Sequence, residues 1–144
     1  MNDITSYMLE QTKKILSIDS PTGFTAHAAE YVLGAYKKLG YDAKLTNKGG
    51  IFVCVNDGPD QADDPADAPI LLEAHMDTLG GMVCSINEKG RLMLSALGGM
   101  NPNNAEAENC RVYTRSGKVY SGTFQLKNAS IHVNGSYNDT ARSY

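Results

Sequence analysis

Residues 70–83 read ILLEAHMDTLGGMV, and this stretch decides the fold class that the sequence predicts. Its first five residues, ILLEA, form a short and mostly apolar run, which is typical of a strand buried on both faces in an α/β protein. The strand would end at His75, and Asp77 follows two residues later. Ligands of open α/β sheets gather at the carboxyl ends of the strands, so we expect both side chains at a functional edge.

The spacing of His75 and Asp77 is compatible with a metal site. A neutral imidazole can present one ring nitrogen to zinc or cobalt. Residues i and i+2 of an extended chain point to the same side, so the Asp77 carboxylate can accept the other imidazole N–H and fix the tautomer. A lone His-x-Asp is common, however, and such a histidine is more often structural. The two other histidines, His27 and His132, are expected to be structural or exposed.

Two helices are predicted upstream of this stretch. Apolar residues at helical spacing indicate a first helix over residues 3–17, and Ser-Pro-Thr-Gly at 20–23 is turn chemistry. Thr25 can then cap a second helix, and Gly40 is placed to end it.

Beyond Gly40 the pattern changes from helical to strand-like. Residues 41–45 and 50–55 predict a hairpin, and residues 57–69, with five Asp and three Pro, predict an exposed loop. Further strand-like runs, separated by glycine-containing turns, lie at 82–86, 91–96, 111–114, 118–124 and 130–133. We therefore expect two domains, 1–78 with helices and 79–144 rich in β-structure.

Composition excludes some classes of protein. The net charge of −3 argues against a nucleic-acid partner, since phosphate binding needs clustered Lys and Arg. No run approaches the roughly 20 apolar residues that span a bilayer, and the first residues do not resemble a signal peptide. We therefore expect a cytoplasmic protein without membrane contact. The three cysteines suggest neither disulfides nor a thiolate zinc site, and Cys54 and Cys84 are expected to be buried.

Four motifs occur in this chain in a specific combination. EAHMDTLGGMV at 73–83 is similar to an AHMD-x-x-G-x-MV signature, and GRLMLSALGG at 90–99 follows at a matching interval. RVYTRSGKVYSG at 111–122 and SIDSPTGFTAHAAEYV at 17–32 extend the match to nearly the whole chain. Together they resemble the M42 family of metallo-aminopeptidases, which are similar to glutamyl aminopeptidase.

This resemblance implies an α/β fold, with the N-terminal part of a phosphorylase/hydrolase-like catalytic domain followed by an incomplete inserted β-barrel-like domain. By the same resemblance, His75 would be a ligand of one of two divalent metal ions, zinc or cobalt, and Asp77 the catalytic acid that orients its imidazole. In the family, the other ligands and the general base lie beyond the point where this sequence stops. Metal binding by this chain alone is therefore expected to be weak or absent.

The function implied by the resemblance is removal of N-terminal residues from short peptides by metal-activated water. The family assembles into homo-oligomers, from dimers to dodecamers, through the inserted domain. This chain alone is expected to be an inactive N-terminal fragment of such an enzyme. The alternative is a non-catalytic β-rich binding or assembly module derived from the same fold. An M20 or M28 metallopeptidase is a further alternative, which the long β run after Asp77 disfavours.

Overall fold

The computed structural model describes residues 3–55, 70–127, 129–130 and 132. The chain divides into two compact units, Met1–Thr78 and Leu79–Tyr144. The described residues of the first unit form α1 (Asp3–Leu16), α2 (Ala26–Lys38), β1 (Lys44–Leu45) and β2 (Ile51–Phe52). Those of the second form β3 (Gly80–Ile86), β4 (Leu92–Leu97), α3 (Pro102–Ala105), β5 (Asn109–Tyr113) and β6 (Val119–Thr123). Helices and strands are both present, as an α/β protein requires. The roles predicted for the two domains, 1–78 and 79–144, stay predictions.

The two predicted helices of the first unit are confirmed. One side-chain hydrogen bond joins them: Tyr31 of α2 donates its hydroxyl to Gln11 Oε1 of α1, over 2.7 Å. Ala28 and Ala29 are the buried residues of α2, and small side chains at these positions let neighbouring chain approach closely. Apolar periodicity therefore predicted the existence and the limits of both helices correctly.

Thr25 stands at the N-cap of α2, but the predicted cap through its side chain is wrong. The residue has φ −95° and ψ −2°, which is helical backbone, and its hydroxyl makes no capping hydrogen bond. A side-chain cap needs an N-cap residue in the extended region, from which the oxygen can reach back to the N–H groups of the first turn. The Thr25 carbonyl oxygen instead accepts an ordinary helical bond from Ala29 N–H at 2.9 Å.

Gly40 ends α2 as predicted, through a Schellman motif. Its φ is +89°, and its N–H donates to Lys37 O at 3.0 Å. The N–H of Tyr41 donates to Tyr36 O at 3.2 Å, and the rings of these two tyrosines meet edge to face with centroids 6.1 Å apart. Both hydrogen bonds and the accompanying apolar contact of this motif are therefore present.

The hairpin predicted after Gly40 is confirmed, although its strands are short. β1 pairs antiparallel with β2, with Leu45 opposite Ile51. The turn is closed by Thr46, whose N–H donates to Gly50 O at 2.8 Å and whose hydroxyl oxygen accepts Gly50 N–H at 3.0 Å. The acidic loop predicted at 57–69 lies outside the described residues.

The buried strand predicted at 70–74 is wrong. Residues 70–74 form no strand, and the side chains of Ile70, Leu71 and Leu72 are 87%, 74% and 90% exposed. A strand buried on both faces needs a hydrogen-bonded neighbour at its edges, and in the described part of the first unit β1 and β2 pair only with each other. The apolar residues of 70–74 are typical of a buried strand, but they do not specify which part of the chain would pair with it.

The described residues of the second unit form two antiparallel hairpins. β3 pairs with β4 from Gly80 opposite Leu97 to Ile86 opposite Leu92, with a bulge between Val83 and Ser85. β5 pairs with β6, and this ladder continues where Phe124 N–H donates to Glu108 O at 2.9 Å. The four predicted strands between 82 and 124 are confirmed within three residues at each end. The strand predicted at 130–133 lies largely outside the described residues.

The two hairpins form separate two-stranded sheets, so the expected β-barrel-like domain is not confirmed within the described residues. This arrangement also corrects the expectation for two cysteines. Cys54 and Cys84 are exposed, whereas Cys110 is half-buried. An alternating apolar run buries a face only where another layer covers it, and sequence alone does not supply that layer. Within the described residues, no helix has the length and apolarity needed to cross a bilayer.

Candidate functional site

The chain around His75 is tied to the turn that precedes α2. Thr78 N–H donates to Ser20 O at 2.8 Å, and Thr22 N–H donates to Thr78 O at 3.3 Å, which makes an isolated parallel bridge between Pro21 and Thr78. The turn itself closes where Phe24 N–H donates to Pro21 O at 2.7 Å. Backbone bonds therefore hold the turn beside the His-x-Asp segment.

His75 and Asp77 lie in contact. His75 Nδ1 is 3.0 Å from the backbone oxygen of Asp77 and 3.2 Å from its carboxylate Oδ1. A carbonyl oxygen and an ionised carboxylate can only accept, so Nδ1 carries the proton and Nε2 keeps its lone pair in the neutral ring. The His75 side chain is 85% exposed. This is the tautomer and the exposure that a metal-binding imidazole needs.

A third residue completes the cluster. Thr22 Oγ1 donates to Asp77 Oδ2 over 2.7 Å, although the two residues are 55 positions apart in the sequence. The Thr22 hydrogen bond is the largest of the effects that lower the pKa of the Asp77 carboxyl below its usual value. Burial opposes the shift, while the Asp77 backbone amide and the His75 ring add to it. Asp77 is therefore ionised, and acceptor-only, at neutral pH.

Sequence reasoning missed Thr22 as a member of this cluster. The turn at residues 20–23 was predicted, but turn composition indicates local backbone geometry and not a partner 55 positions away. No local sequence signal could have found it, because the turn and the His-x-Asp segment become neighbours only in the folded chain.

The other predicted histidines lie where expected. His27 is exposed on α2, with its ring edge to face with Phe24 at 5.8 Å between centroids. His132 is exposed, and its backbone N–H donates to Ser130 Oγ at 3.3 Å. Neither observation indicates a functional role.

The described residues do not bring together a full set of metal ligands. Within residues 3–55, 70–127, 129–130 and 132, no three His, Cys, Asp or Glu side chains gather closely enough to hold a metal ion. His75 offers one neutral nitrogen and Asp77 supports it from the opposite side of the ring. The donor chemistry fits one protein ligand of a zinc or cobalt ion, whereas a two-metal site needs several more.

Comparison with known proteins identifies relatives of the chain. Residues 50–143 match the M42 glutamyl aminopeptidase family. The chain is 35% identical to YhfE, a candidate aminopeptidase of Bacillus subtilis strain 168, over 94% of this chain and 36% of that protein. It is 32% identical to a glutamyl aminopeptidase of Lactococcus lactis subsp. cremoris strain MG1363, over 77% of this chain and 30% of that protein. The chain thus spans about a third of the length of these relatives.

Proposed function

The chain belongs to the M42 glutamyl aminopeptidase family, and from that membership we propose that it is the His75-bearing part of a metal-dependent aminopeptidase. The reaction is removal of N-terminal residues from short peptides. The observation that carries the proposal is the contact of His75 Nδ1 with Asp77, which leaves Nε2 as the atom that can bind a metal ion.

In this function His75 would hold a metal ion through Nε2, and Asp77 would keep the proton on Nδ1 and orient the ring. Divalent ions such as zinc or cobalt, when bound, supply Lewis-acid activation of water and of the scissile carbonyl group. The Asp77 carboxyl has a lowered pKa and is ionised at neutral pH, so it can only accept a hydrogen bond from Nδ1–H and would hold the proton on that nitrogen.

The proposal extends to the two units of the chain. Residues 1–78 contribute to the catalytic α/β domain, and residues 79–144 contribute to an inserted, barrel-like β-rich domain through which subunits assemble into homo-oligomers. The concentration of hairpins in the second unit supports this assignment. The proposed enzyme is cytoplasmic, acts on peptides and has no nucleic-acid or membrane partner. The net charge of −3 supports the exclusion of nucleic acid, because phosphate binding needs clustered positive charge.

Metal binding tests the role of His75. Titration of the 144-residue chain with Zn²⁺, followed by NMR of the imidazole nitrogens, is expected to show weak binding that perturbs Nε2 of His75. His75→Ala should remove this binding, whereas His27→Ala should keep it. Equal loss in both variants, or a Zn²⁺ response confined to other side chains, would contradict the proposal.

Activity tests the reaction. With added Zn²⁺ or Co²⁺, the 144-residue chain is expected not to hydrolyse leucine or glutamate p-nitroanilide, because the described residues provide one ligand. The complete product of its gene, assayed beside it, is expected to hydrolyse one of them and to lose activity on His75→Ala. Inactivity of that complete product with either metal would favour a non-catalytic β-rich binding or assembly module.

A further inference from the structure

The two oxygens of the Asp77 carboxylate have different partners. Oδ2 accepts a hydrogen bond from Thr22 Oγ1 over 2.7 Å, and Oδ1 lies 3.2 Å from His75 Nδ1. The torsion that rotates a carboxylate is broad and has weak preferences of its own. A hydrogen bond at one oxygen therefore determines where the other oxygen lies.

The hydroxyl of Thr22 is itself held in place by the backbone. Thr22 N–H donates to Thr78 O at 3.3 Å, and Thr78 N–H donates to Ser20 O at 2.8 Å. Thr78 is the residue after Asp77, so these bonds fix both ends of the side-chain contact. Threonine has a single, sterically restricted χ1 torsion, and its hydroxyl is therefore presented with little freedom.

We propose that Thr22 is a positioning residue: it orients the Asp77 carboxylate toward His75 and so favours the imidazole tautomer whose Nε2 can bind a metal ion. The inference rests on the function proposed for His75 and Asp77 and adds a residue from a separate segment of the chain. Thr22 acts through Asp77, because its hydroxyl hydrogen-bonds the carboxylate and the carboxylate contacts the ring. Groups that hydrogen-bond the non-ligating nitrogen of a metal-binding histidine set the orientation and the tautomer of its ring.

The tautomer of His75 provides a test that needs no metal ion. Long-range ¹H–¹⁵N NMR distinguishes Nδ1–H from Nε2–H in a neutral ring, at about pH 9, where imidazoles are deprotonated. In the unaltered 144-residue chain, Nδ1–H is expected to predominate at His75. Thr22→Val keeps the shape and removes the hydroxyl, and should lower the Nδ1–H to Nε2–H ratio by roughly threefold, the effect of an exposed charge-assisted contact. Thr22→Ser should restore the ratio.

Two controls separate positioning from a structural effect. Thr25→Val makes the same change three residues away, where the hydroxyl makes no capping bond, and should leave the ratio unchanged. Asp77→Ala removes the carboxylate, and adding Thr22→Val to it should cause no further change, because Thr22 acts only through Asp77. The signal of His27, whose ring contacts Phe24 beside the turn, reports whether the turn is intact.

Several outcomes would overturn the proposal. These are a predominantly Nε2–H ring in the unaltered chain, an equal effect of Thr22→Val and Thr25→Val, or a persisting effect of Thr22→Val when Asp77 is already alanine. If Thr22→Val shifts the His27 signal, the turn is disturbed and Thr22→Ser becomes the deciding variant. Loss of the Nδ1–H form in Thr22→Ser would then overturn the proposal. If the tautomer responds as expected but the complete product of the gene is inactive with Zn²⁺ and Co²⁺, the positioning role stands and the metallopeptidase function fails.

Discussion

Cys84 and Cys110 show how the surroundings of one side-chain type change its chemistry. Both residues lie on strands of the second unit, but Cys84 is exposed, whereas burial raises the pKa of the half-buried Cys110 thiol. The thiolate is the nucleophile, so a raised pKa leaves less of it at a given pH. We expect iodoacetamide to alkylate Cys110 more slowly than Cys84 at pH near 8.5, and the rate at Cys110 to keep rising at higher pH.

Peptide mapping by mass spectrometry over a time course measures both rates in one sample. In concentrated urea the two rates should converge, since unfolding removes the burial that distinguishes the thiols. Equal rates in the folded chain would contradict the expected difference.

The ion pair between Glu10 and Lys14 on α1 gives a second prediction. The hydrogen bond from Lys14, with its charge, lowers the pKa of the Glu10 carboxyl, and the same contact raises the pKa of Lys14. A lowered carboxyl pKa means that the stabilisation is present above the ordinary pKa of Glu10 and is lost as the pH falls through the lowered value. Carboxyl NMR titration should therefore find that the Glu10 pKa rises in Lys14→Met.

Lys13→Met is the matched control for this pair. It removes the lysine three residues from Glu10, which is not among the groups that lower the Glu10 pKa, and should raise that pKa much less than Lys14→Met does. High salt should move the Glu10 pKa in the same direction as Lys14→Met, because the pair is exposed and screened. A Glu10 pKa that ignores both changes would show that the pair is absent in solution.

At this scale the sequence predicted part of the site. The pairing of His75 with Asp77 follows from local spacing, and the structure brings the two side chains together. Thr22 could not be found in the same way, because its contact with Asp77 joins residues 55 positions apart and depends on the path of the chain between them. The roles proposed for all three residues await the measurements above.

Among secondary-structure elements, α2 contains two glycines with opposite requirements. Gly40, in the Schellman motif, has φ +89°, whereas Gly34 lies within the helix and has open space where a Cβ would be. Gly40→Ala forces a side chain into left-handed backbone and should lower the free energy of unfolding by about 1 kcal/mol. Gly34→Ala should raise it by about 0.5–1 kcal/mol, since alanine is the better helix former.

Urea unfolding followed by far-UV circular dichroism measures both variants, and the chain has no Trp to serve as a fluorescent reporter. Each variant is the control for the other, because the chemical change is the same. A shift of the same sign in both would contradict the assigned backbone conformation.

Local elements were predictable where neighbouring residues in the sequence provide the interactions. α1, α2 and the hairpins follow from periodicity and turn chemistry, which act within a few residues. The strand predicted at 70–74 failed because a strand depends on pairing with distant chain. The exposure of Cys54 and Cys84 has the same cause, since no local pattern specifies which face another layer covers.

For the whole molecule, the exposed apolar run at 70–72 predicts self-association. Ile70, Leu71 and Leu72 are each at least 74% exposed, and an extended apolar segment outside a sheet can pair with another chain. Sedimentation velocity is expected to show an average mass that rises with concentration, and Leu72→Lys should reduce the rise. Leu16→Lys makes the same substitution at an exposed helical leucine, 73% exposed, and should have a smaller effect. An equal effect of the two substitutions would indicate that association depends on the overall apolar surface of the chain and not on residues 70–72.

The contact between Thr22 and Asp77 also affects the order in which the molecule folds. The Schellman motif and the hairpins close loops of a few residues, but this hydrogen bond closes one that spans 55 positions. The entropic cost of closure grows with loop length, so short-range contacts form sooner during folding. A solvent-exposed contact that closes a long loop is also among the first to open on warming. His75 would therefore acquire its orientation late in folding and lose it while the helices remain intact.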